Sequence, residues 1–464
     1  MADTADPPEV GDWNDRWGGW EKIAPPDDEE ASSLTPDERA DADPAEFWKA
    51  RPVLHHVYEY ARARRVGPWA VLGTVLARVV TNTSPHVQLP ATVGGRASLN
   101  LFVGLVGPSG LGKDAAQKVA REAVALEHEE FATNPLGSGE GIPKMFMRIS
   151  RPSKAEPDPR PEQYNRAALV TIGEIDTFTA LTNRSGATLT GQLRQAAMGE
   201  QLGFFWSDEA KRMMVPEHAY RLCLIAGIQP ARSAGLLGDH DGGTPQRFIW
   251  LPAGDPDAPD VAPDEPEPLL WVPPEWVLVK RTFGDPCWEV DLPAIARQTI
   301  DAARLRRLRL EGDALDSHAL LTRTKVATAL AVLDGRTSVT EEDWQLSGVI
   351  MAMSDQQREM CQRTLTAEAT KVNRTQAVAE AERAVVVEKR VDEERVKNVC
   401  RKVKIKLAAL GPTPASTMRK ILNSRDRDVL ADAFERLVDV GDVIAEAVEG
   451  GGQAGTLYRL NDHR

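Results

Sequence analysis

The chain has 464 residues, 42% of them hydrophobic, and a formal net charge of -13. That length allows two or three domains with ordinary cores. No run reaches the roughly 18 apolar residues of a membrane span, and the acidic N-terminus is unlike a signal peptide, so a cytoplasmic protein without a membrane segment is expected. The charge is uneven: residues 1–46 hold 15 acidic and 3 basic side chains. The remainder is near neutral, so net charge says little against nucleic-acid binding by the body, where local patches decide. Cys223, Cys287, Cys361 and Cys400 form no C-x-x-C pair, which argues against a zinc knuckle or a disulfide framework and reads as buried thiols.

Residues 1–46, rich in Pro, Asp and Glu, have the composition of a disordered acidic tail. Within it Trp13, Trp17 and Trp20 fall at helical spacing, a motif that would suit docking on a partner protein. Residues 47–94 open with apolar positions at three- and four-residue spacing, which predicts two or three helices ending near residue 82. "HVQLPATV" and "SLNLFVGLVG" then read as strands, and the second runs into "GPSGLGKD". Gly107, four residues, Gly112 and Lys113 match a phosphate-binding loop, and a helix is predicted to follow from Lys113. The backbone from Ser109 through Gly110 to Gly112 would cradle phosphates. Asp114 stands where such loops carry Ser or Thr.

The apolar run Ala168 to Ile172 reads as a buried strand with Glu174 and Asp176 at its C-terminal end, where open α/β sheets bind ligands. A phosphate-loop ATPase needs one acid there for Mg²⁺ and usually a second to orient the attacking water. Another buried strand, "LCLIAGIQP", ends at Gln229, and Arg247 precedes the strand Phe248 to Leu251. The Pro/Asp/Glu-rich run 252–274 reads as a surface linker. Three helical segments follow to about residue 361, the last opening with Thr340 and Asp343 in the pattern of a capping box. Residues 362–394 predict a long exposed helix. Residues 395–464 read as helix, turn, helix, helix and a hairpin around Gly450–Gly452, the order of a winged helix. Its third helix is expected to carry Arg425, Arg427 and Arg436 among several acids, whereas Lys397, Arg401 and Lys404 lie on one helical face and are the better candidates for DNA contact. "GSGEG" at 137–141 is too short to assign.

In order, these elements resemble AAA+ ATPases of the minichromosome maintenance helicase clade, and more closely helicase-type ATPases of actinobacterial phages and mobile elements. The likeness covers roughly residues 95–360 and the C-terminal module. It implies an α/β fold: a P-loop NTPase (AAA+) core over 95–274, a helical lid over 275–361, a linker helix and a winged helix. By that resemblance Lys113 would contact the β- and γ-phosphates of ATP, Glu174 would be the catalytic glutamate, Gln229 the sensor-1 amide, and Arg247 a finger completing a neighbour's site in a homohexameric ring. Lys211, with Arg212 beside it, would grip single-stranded or forked DNA in the ring's channel. Arg323 would take the sensor-2 place, although the family's usual lid arginine lies earlier and is not found here; the clade's large N-terminal DNA-binding domain is missing too.

Two departures from the family occur together: a hydroxyl becomes Asp114, and the metal-side aspartate becomes Gly173. Moving the carboxylate from one position to the other would keep one hard oxygen ligand for Mg²⁺, with Asp114, Glu174 and Asp176 as the acids available. The competing reading is a decayed site in which Asp114 repels the triphosphate. The expected function is an ATP-dependent DNA helicase or translocase in replication of a phage or mobile element. The alternatives are an ATP-switched initiator or helicase loader, and a scaffold with a dead site.

Overall fold

The computed structural model describes residues 44–151, 160–182, 188–205, 213–239, 242–274, 287–311, 316–448 and 455–461. The tail with Trp13, Trp17 and Trp20, the pair Lys211 and Arg212, and the Gly450–Gly452 turn lie outside them. No helix among the described residues is long and apolar enough to cross a membrane. The chain divides into two compact units, Met1–Ala367 and Glu368–Arg464.

The first unit begins with three helices, α1 (Pro44–Lys49), α2 (Pro52–Ala63) and α3 (Pro68–Thr81). Five parallel strands follow: β1 (Phe102–Val106), β2 (Ala132–Pro135), β3 (Ala167–Ile172), β4 (Arg221–Ile228) and β5 (Phe248–Pro252). Their spatial order is β5-β1-β4-β3-β2. The helix α4 (Lys113–Ala123) follows β1, α5 (Ile175–Thr182) follows β3, and α6 (Leu189–Met198) precedes β4. This is an α/β architecture compatible with a P-loop NTPase-like core.

Alternation along the strands makes the sheet two-faced, because successive side chains point to opposite sides. Val103, Leu105, Leu169, Ile225, Ile249 and Leu251 belong to one core, shared with α2, α3 and α4. Phe102, Val106, Val170, Leu224, Phe248 and Trp250 belong to the other, with α5 and α6. Every residue of α3 is buried, so residues 47–94 supply one layer of the sheet's own core and do not stand apart as a separate segment. Gly73 permits this: a Cβ there would lie 2.6 Å from Leu251 Cδ1 and 2.9 Å from Val103 Cγ1.

Three more helices complete this unit and lead out of it: α7 (Ala294–Leu308), α8 (Asp316–Leu333) and the 70-residue α9 (Glu341–Leu410). Thr340 and Asp343 form the expected capping box at the start of α9: the Thr340 N–H donates to Asp343 Oδ2 at 2.7 Å, and the Asp343 N–H to Thr340 Oγ1 at 3.3 Å. The run 252–274 is not a free surface linker. Arg62 on α2 donates to Asp255 at 2.8 Å, Arg64 pairs with Glu265, and the strand Leu269–Trp271 pairs with Val124–Leu126.

In the second unit, β6 (Thr413–Pro414), α10 (Ala415–Ile421), α11 (Ser424–Arg427), α12 (Leu430–Asp439), β7 (Val443–Val448) and β8 (Gly455–Leu460) follow the end of α9. The strands form a sheet in the order β6-β8-β7, and Val399, Val403, Leu407, Phe434 and Leu437 supply part of a separate core. The single third helix expected from sequence is two helices: Arg425 and Arg427 lie on α11 and Arg436 on α12. Asn423 starts α11, its side chain accepting the Asp426 N–H at 3.0 Å, and that helix ends at Arg427, before α12 begins at Leu430.

Candidate nucleotide site

A glycine loop needs a strand to aim it and a helix to receive its ligand, and β1 and α4 supply both. The Gly107 N–H donates to Ile228 O at the end of β4, 2.9 Å away, which fixes the start of the loop against the neighbouring strand. Gly110 and Gly112 have φ of +83° and +78°, the left-handed region in which only glycine is unstrained. Gly112 caps α4, and its carbonyl accepts the Ala116 N–H at 2.8 Å. Ser109 is exposed on the loop.

Helix α4 is anchored at its other end. Buried Arg78 on α3 donates to the carbonyls of Ala120 and Val124 at 3.1 and 2.8 Å, and the His56 ring contacts the carbonyl of Ala123 at 2.8 Å. These groups satisfy the carbonyls at the negative end of the helix dipole, leaving the positive end at the loop.

Lys113, 8% exposed, folds back so that Nζ donates to Gly107 O and Pro108 O, both at 2.8 Å. Burial lowers its pKa, while the charges of Asp114 and Glu174 act in the opposite direction. Both carboxylates are thus close enough to feel the ammonium. Asp114 is exposed in the first turn of α4, and Glu174 is exposed just past β3. Gly227 in β4 closes the site from behind: a Cβ there would lie 2.2 Å from Gly173 O and 3.4 Å from Lys113 Cε. Sequence reading passed over Gly227, although a glycine inside a strand is the usual signal of close backbone approach. Around the Cβ position of Gly173 nothing lies within 4 Å, so a larger side chain fits there. Gln229 is half-buried at the tip of β4, one residue beyond the Ile228 carbonyl that holds the loop.

Two expected members of the site are placed elsewhere. The Asp176 carboxylate pairs with the Arg232 guanidinium, so it is engaged by a cation and is not grouped with the other acids. Among the described residues no three His, Cys, Asp or Glu side chains are gathered to hold a metal. The expected set of Asp114, Glu174 and Asp176 is therefore reduced to Asp114 and Glu174. Two carboxylates remain a fitting set for Mg²⁺, which commonly takes one or two from the protein and the rest from phosphate and water. Arg323 is the second correction. It is 7% exposed, its guanidinium lies 4.1 Å from the centre of the Trp344 ring, and Nη2 donates to Trp344 O at 3.0 Å. The aromatic face and the carbonyl hold it within the α8–α9 helical layer.

Arg247 stands immediately before β5, whereas the loop follows β1. Because the two strands are parallel neighbours, Arg247 and Lys113 lie at opposite edges of the sheet, a strand length of about 16 Å apart. Arg247 Nη1 donates to Gly242 O and Gly243 O at 2.9 and 2.7 Å, and its buried Nε has no partner. With Arg194, Gln192, Gln195, Glu200 and Phe204 it lines a groove of about 450 Å³. Burial, then the Arg194 charge, lowers its pKa.

In the second unit Lys397, Arg401 and Lys404 are exposed and line a groove of about 460 Å³ with Arg436 and Leu437. Lys404 is bound at 2.9 Å by Asp442. A second groove between α9 and α12 is lined by Asp392, Glu393, Asp432, Glu435 and Asp439, with Lys389 and Arg436 among them. Compared with known proteins, the sequence matches no family model, and no curated protein is significantly similar to it.

Proposed function

We propose that the chain is an AAA+-type ATPase that couples ATP hydrolysis to movement along DNA, working as a ring, a hexamer by the resemblance, in replication of a phage or mobile element. The observation that carries the nucleotide reading is the placement of Lys113. It begins the helix after β1, and Glu174 at the tip of β3 is near enough for its charge to act on the lysine. Nucleotide entry would draw Lys113 Nζ from the two loop carbonyls to the β- and γ-phosphates. The loop N–H groups and the α4 dipole would hold the same anion. Asp114 and Glu174 are the residues that would hold Mg²⁺, which supplies charge neutralisation on the transferred phosphoryl group. Glu174 also orients the attacking water, and Gln229 reads the γ-phosphate from the next strand tip. Arg247 cannot reach this loop in its own chain, so its role is on a neighbour's γ-phosphoryl group. The resemblance puts Lys211 and Arg212 on the DNA strand.

The deciding experiment is steady-state ATP hydrolysis with and without single-stranded DNA. Wild type should hydrolyse ATP faster with DNA, and Lys113→Ala should lower the rate by at least about a hundredfold. Wild-type hydrolysis no higher than that of Lys113→Ala would refute the motor. A second reading, an ATP-switched initiator or loader, is favoured by the acidic groove on α12, which suits a basic protein surface better than DNA. Strand displacement without a passive partner protein would exclude it.

A further inference from the structure

The ion pair between Asp176 and Arg232 contributes little to holding the fold, yet it sits beside the nucleotide site. The two side chains are 42% and 55% exposed, and an exposed pair adds little to stability. The segments that carry them are joined without it. A Cβ at Gly235 would lie 2.1 Å from Thr179 Oγ1, so the helix Ala234–Leu237 packs directly on α5. Ser233 is fully buried and its hydroxyl donates to Pro230 O at 2.8 Å, while the Arg232 N–H donates to Gln229 O at 2.9 Å. The turn Pro230–Arg232 is therefore fixed by its own backbone and by the buried serine, and the Arg232 guanidinium is left at the surface.

That surface is the rim of the site. Because β3 and β4 are parallel neighbours, their C-terminal ends bring Glu174 and Asp176 beside Gln229 and Arg232. Gly227, five residues before Arg232, has its Cβ position 3.4 Å from Lys113 Cε, and Ile228 O receives the N–H that starts the glycine loop. Lys113 would meet a polyphosphate in the company of Asp114 and Glu174, whose charges act on the same ammonium and oppose that of the ligand. A second cation offsets one of them. Asp176 gives it up easily: it lies in the first turn of α5, where the helix dipole favours a carboxylate without a counter-ion, and water reaches its oxygens.

We propose that Arg232 is the residue that reads the γ-phosphate in its own chain, resting on Asp176 until a triphosphate binds and then turning to the γ-phosphate oxygens. The inference rests on the proposed nucleotide site and adds to it a contact that a diphosphate does not make. A guanidinium pairs with carboxylate or phosphate through the same planar fork, so the exchange is a rotation of one side chain about a fixed turn. Gln229 offers a neutral amide from the same strand tip, and Arg232 adds the charge.

The test is titration calorimetry of the full chain with ATPγS and with ADP, each with Mg²⁺. Arg232→Gln should weaken ATPγS binding about tenfold, the loss of one charge-assisted contact, and leave ADP binding unchanged. Asp176→Asn should act with the opposite sign, tightening ATPγS binding about twofold to fivefold because the arginine loses its resting partner. An ion pair that only holds the fold predicts the same sign for both variants and the same effect on both nucleotides. That pattern, wild-type ATPγS affinity in Arg232→Gln, or an Asp176→Asn chain that binds ATPγS no better than wild type would each overturn the proposal. Thermal unfolding checks that the variants are folded, and Asp176→Asn carries the test by itself if Arg232→Gln is not. Lys113→Ala should lose both nucleotides. Wild type that binds neither nucleotide removes the nucleotide site and this contact together. If wild type binds both, Lys113→Ala neither, and Arg232→Gln binds ATPγS as wild type does, the site stands and only the role of Arg232 falls.

Discussion

Asp114 and Gly173 face a single question from two sides of Lys113. The ammonium feels Asp114 from the first turn of α4, while Gly173 has no side chain to offer and its carbonyl packs against Gly227. On the proposed reading, the carboxylate stands at the helix start in place of the strand tip, where its charge acts on the same ammonium. If that exchange preserves the metal's hard ligand, Asp114→Ser should cut the ATPase rate by at least about tenfold. Gly173→Asp added to it should restore much of the loss, because the Cβ of residue 173 points into open space. Rates measured across a Mg²⁺ series would separate metal affinity from turnover. A neutral or faster single variant would mean that Asp114 is an obstacle to the triphosphate.

At the scale of elements, arginine and lysine side chains decide how the layers join, and they were the hardest to read. The strands β1, β3, β4 and β5 were legible as short apolar runs ending in glycine or polar residues, and the glycine loop was legible by spacing. The apolar spacing predicts a helix at α3 but says nothing of its burial on all sides, between the sheet and α8. The run 252–274 looked like a linker because Pro, Asp and Glu favour exposure, yet Asp255 is held by Arg62 from 193 residues away. The resemblance gives Arg323 the sensor-2 place, and Trp344, 21 residues on, holds it instead. Lys325 on α8 was not singled out at all. It is 5% exposed, and Nζ donates to Asn100 O just before β1, at 2.9 Å, and to Ala197 O at the end of α6.

That lysine makes the junction of α8, α6 and the sheet sensitive to pH. Burial lowers its pKa from 10.5 to about 7, against a partial opposing effect of Cys223 and with further lowering by Arg247 and Arg221. The folded state then releases a proton near pH 7 that the unfolded chain keeps to about pH 10. Between those values the unfolded state binds more protons, so stability rises with pH through this window and the penalty is complete below it. A neutral amine still has two N–H groups for the two carbonyls. Replacing Lys325 by Met should remove this increment, on the order of a few kcal/mol. In urea unfolding, the difference between wild type and variant should shift toward wild type as pH rises from 7 to 10. Parallel curves would show that Lys325 keeps its proton in the fold.

For the whole molecule, the parallel sheet sets which parts can cooperate within one chain. Strand order β5-β1-β4-β3-β2 gathers the loop, Glu174 and Gln229 at the C-terminal edge and leaves Arg247 at the N-terminal edge. A parallel sheet about 16 Å deep stands between them, so a finger role for Arg247 demands a second copy placed head to tail, the arrangement that closes into rings. Mixing variants tests this directly. Lys113→Ala lacks its own phosphate contact but keeps Arg247, and Arg247→Ala has the reverse defect, so each should be nearly inactive alone. In an equal mixture about one quarter of head-to-tail interfaces would join an intact loop to an intact finger. Hydrolysis should therefore return to about a quarter of wild type, less if the subunits of a ring fire in sequence. No recovery, with subunit exchange confirmed by labelled chains, would place Arg247 as a structural clasp of the Gly242–Gly243 turn and leave the ring without a finger.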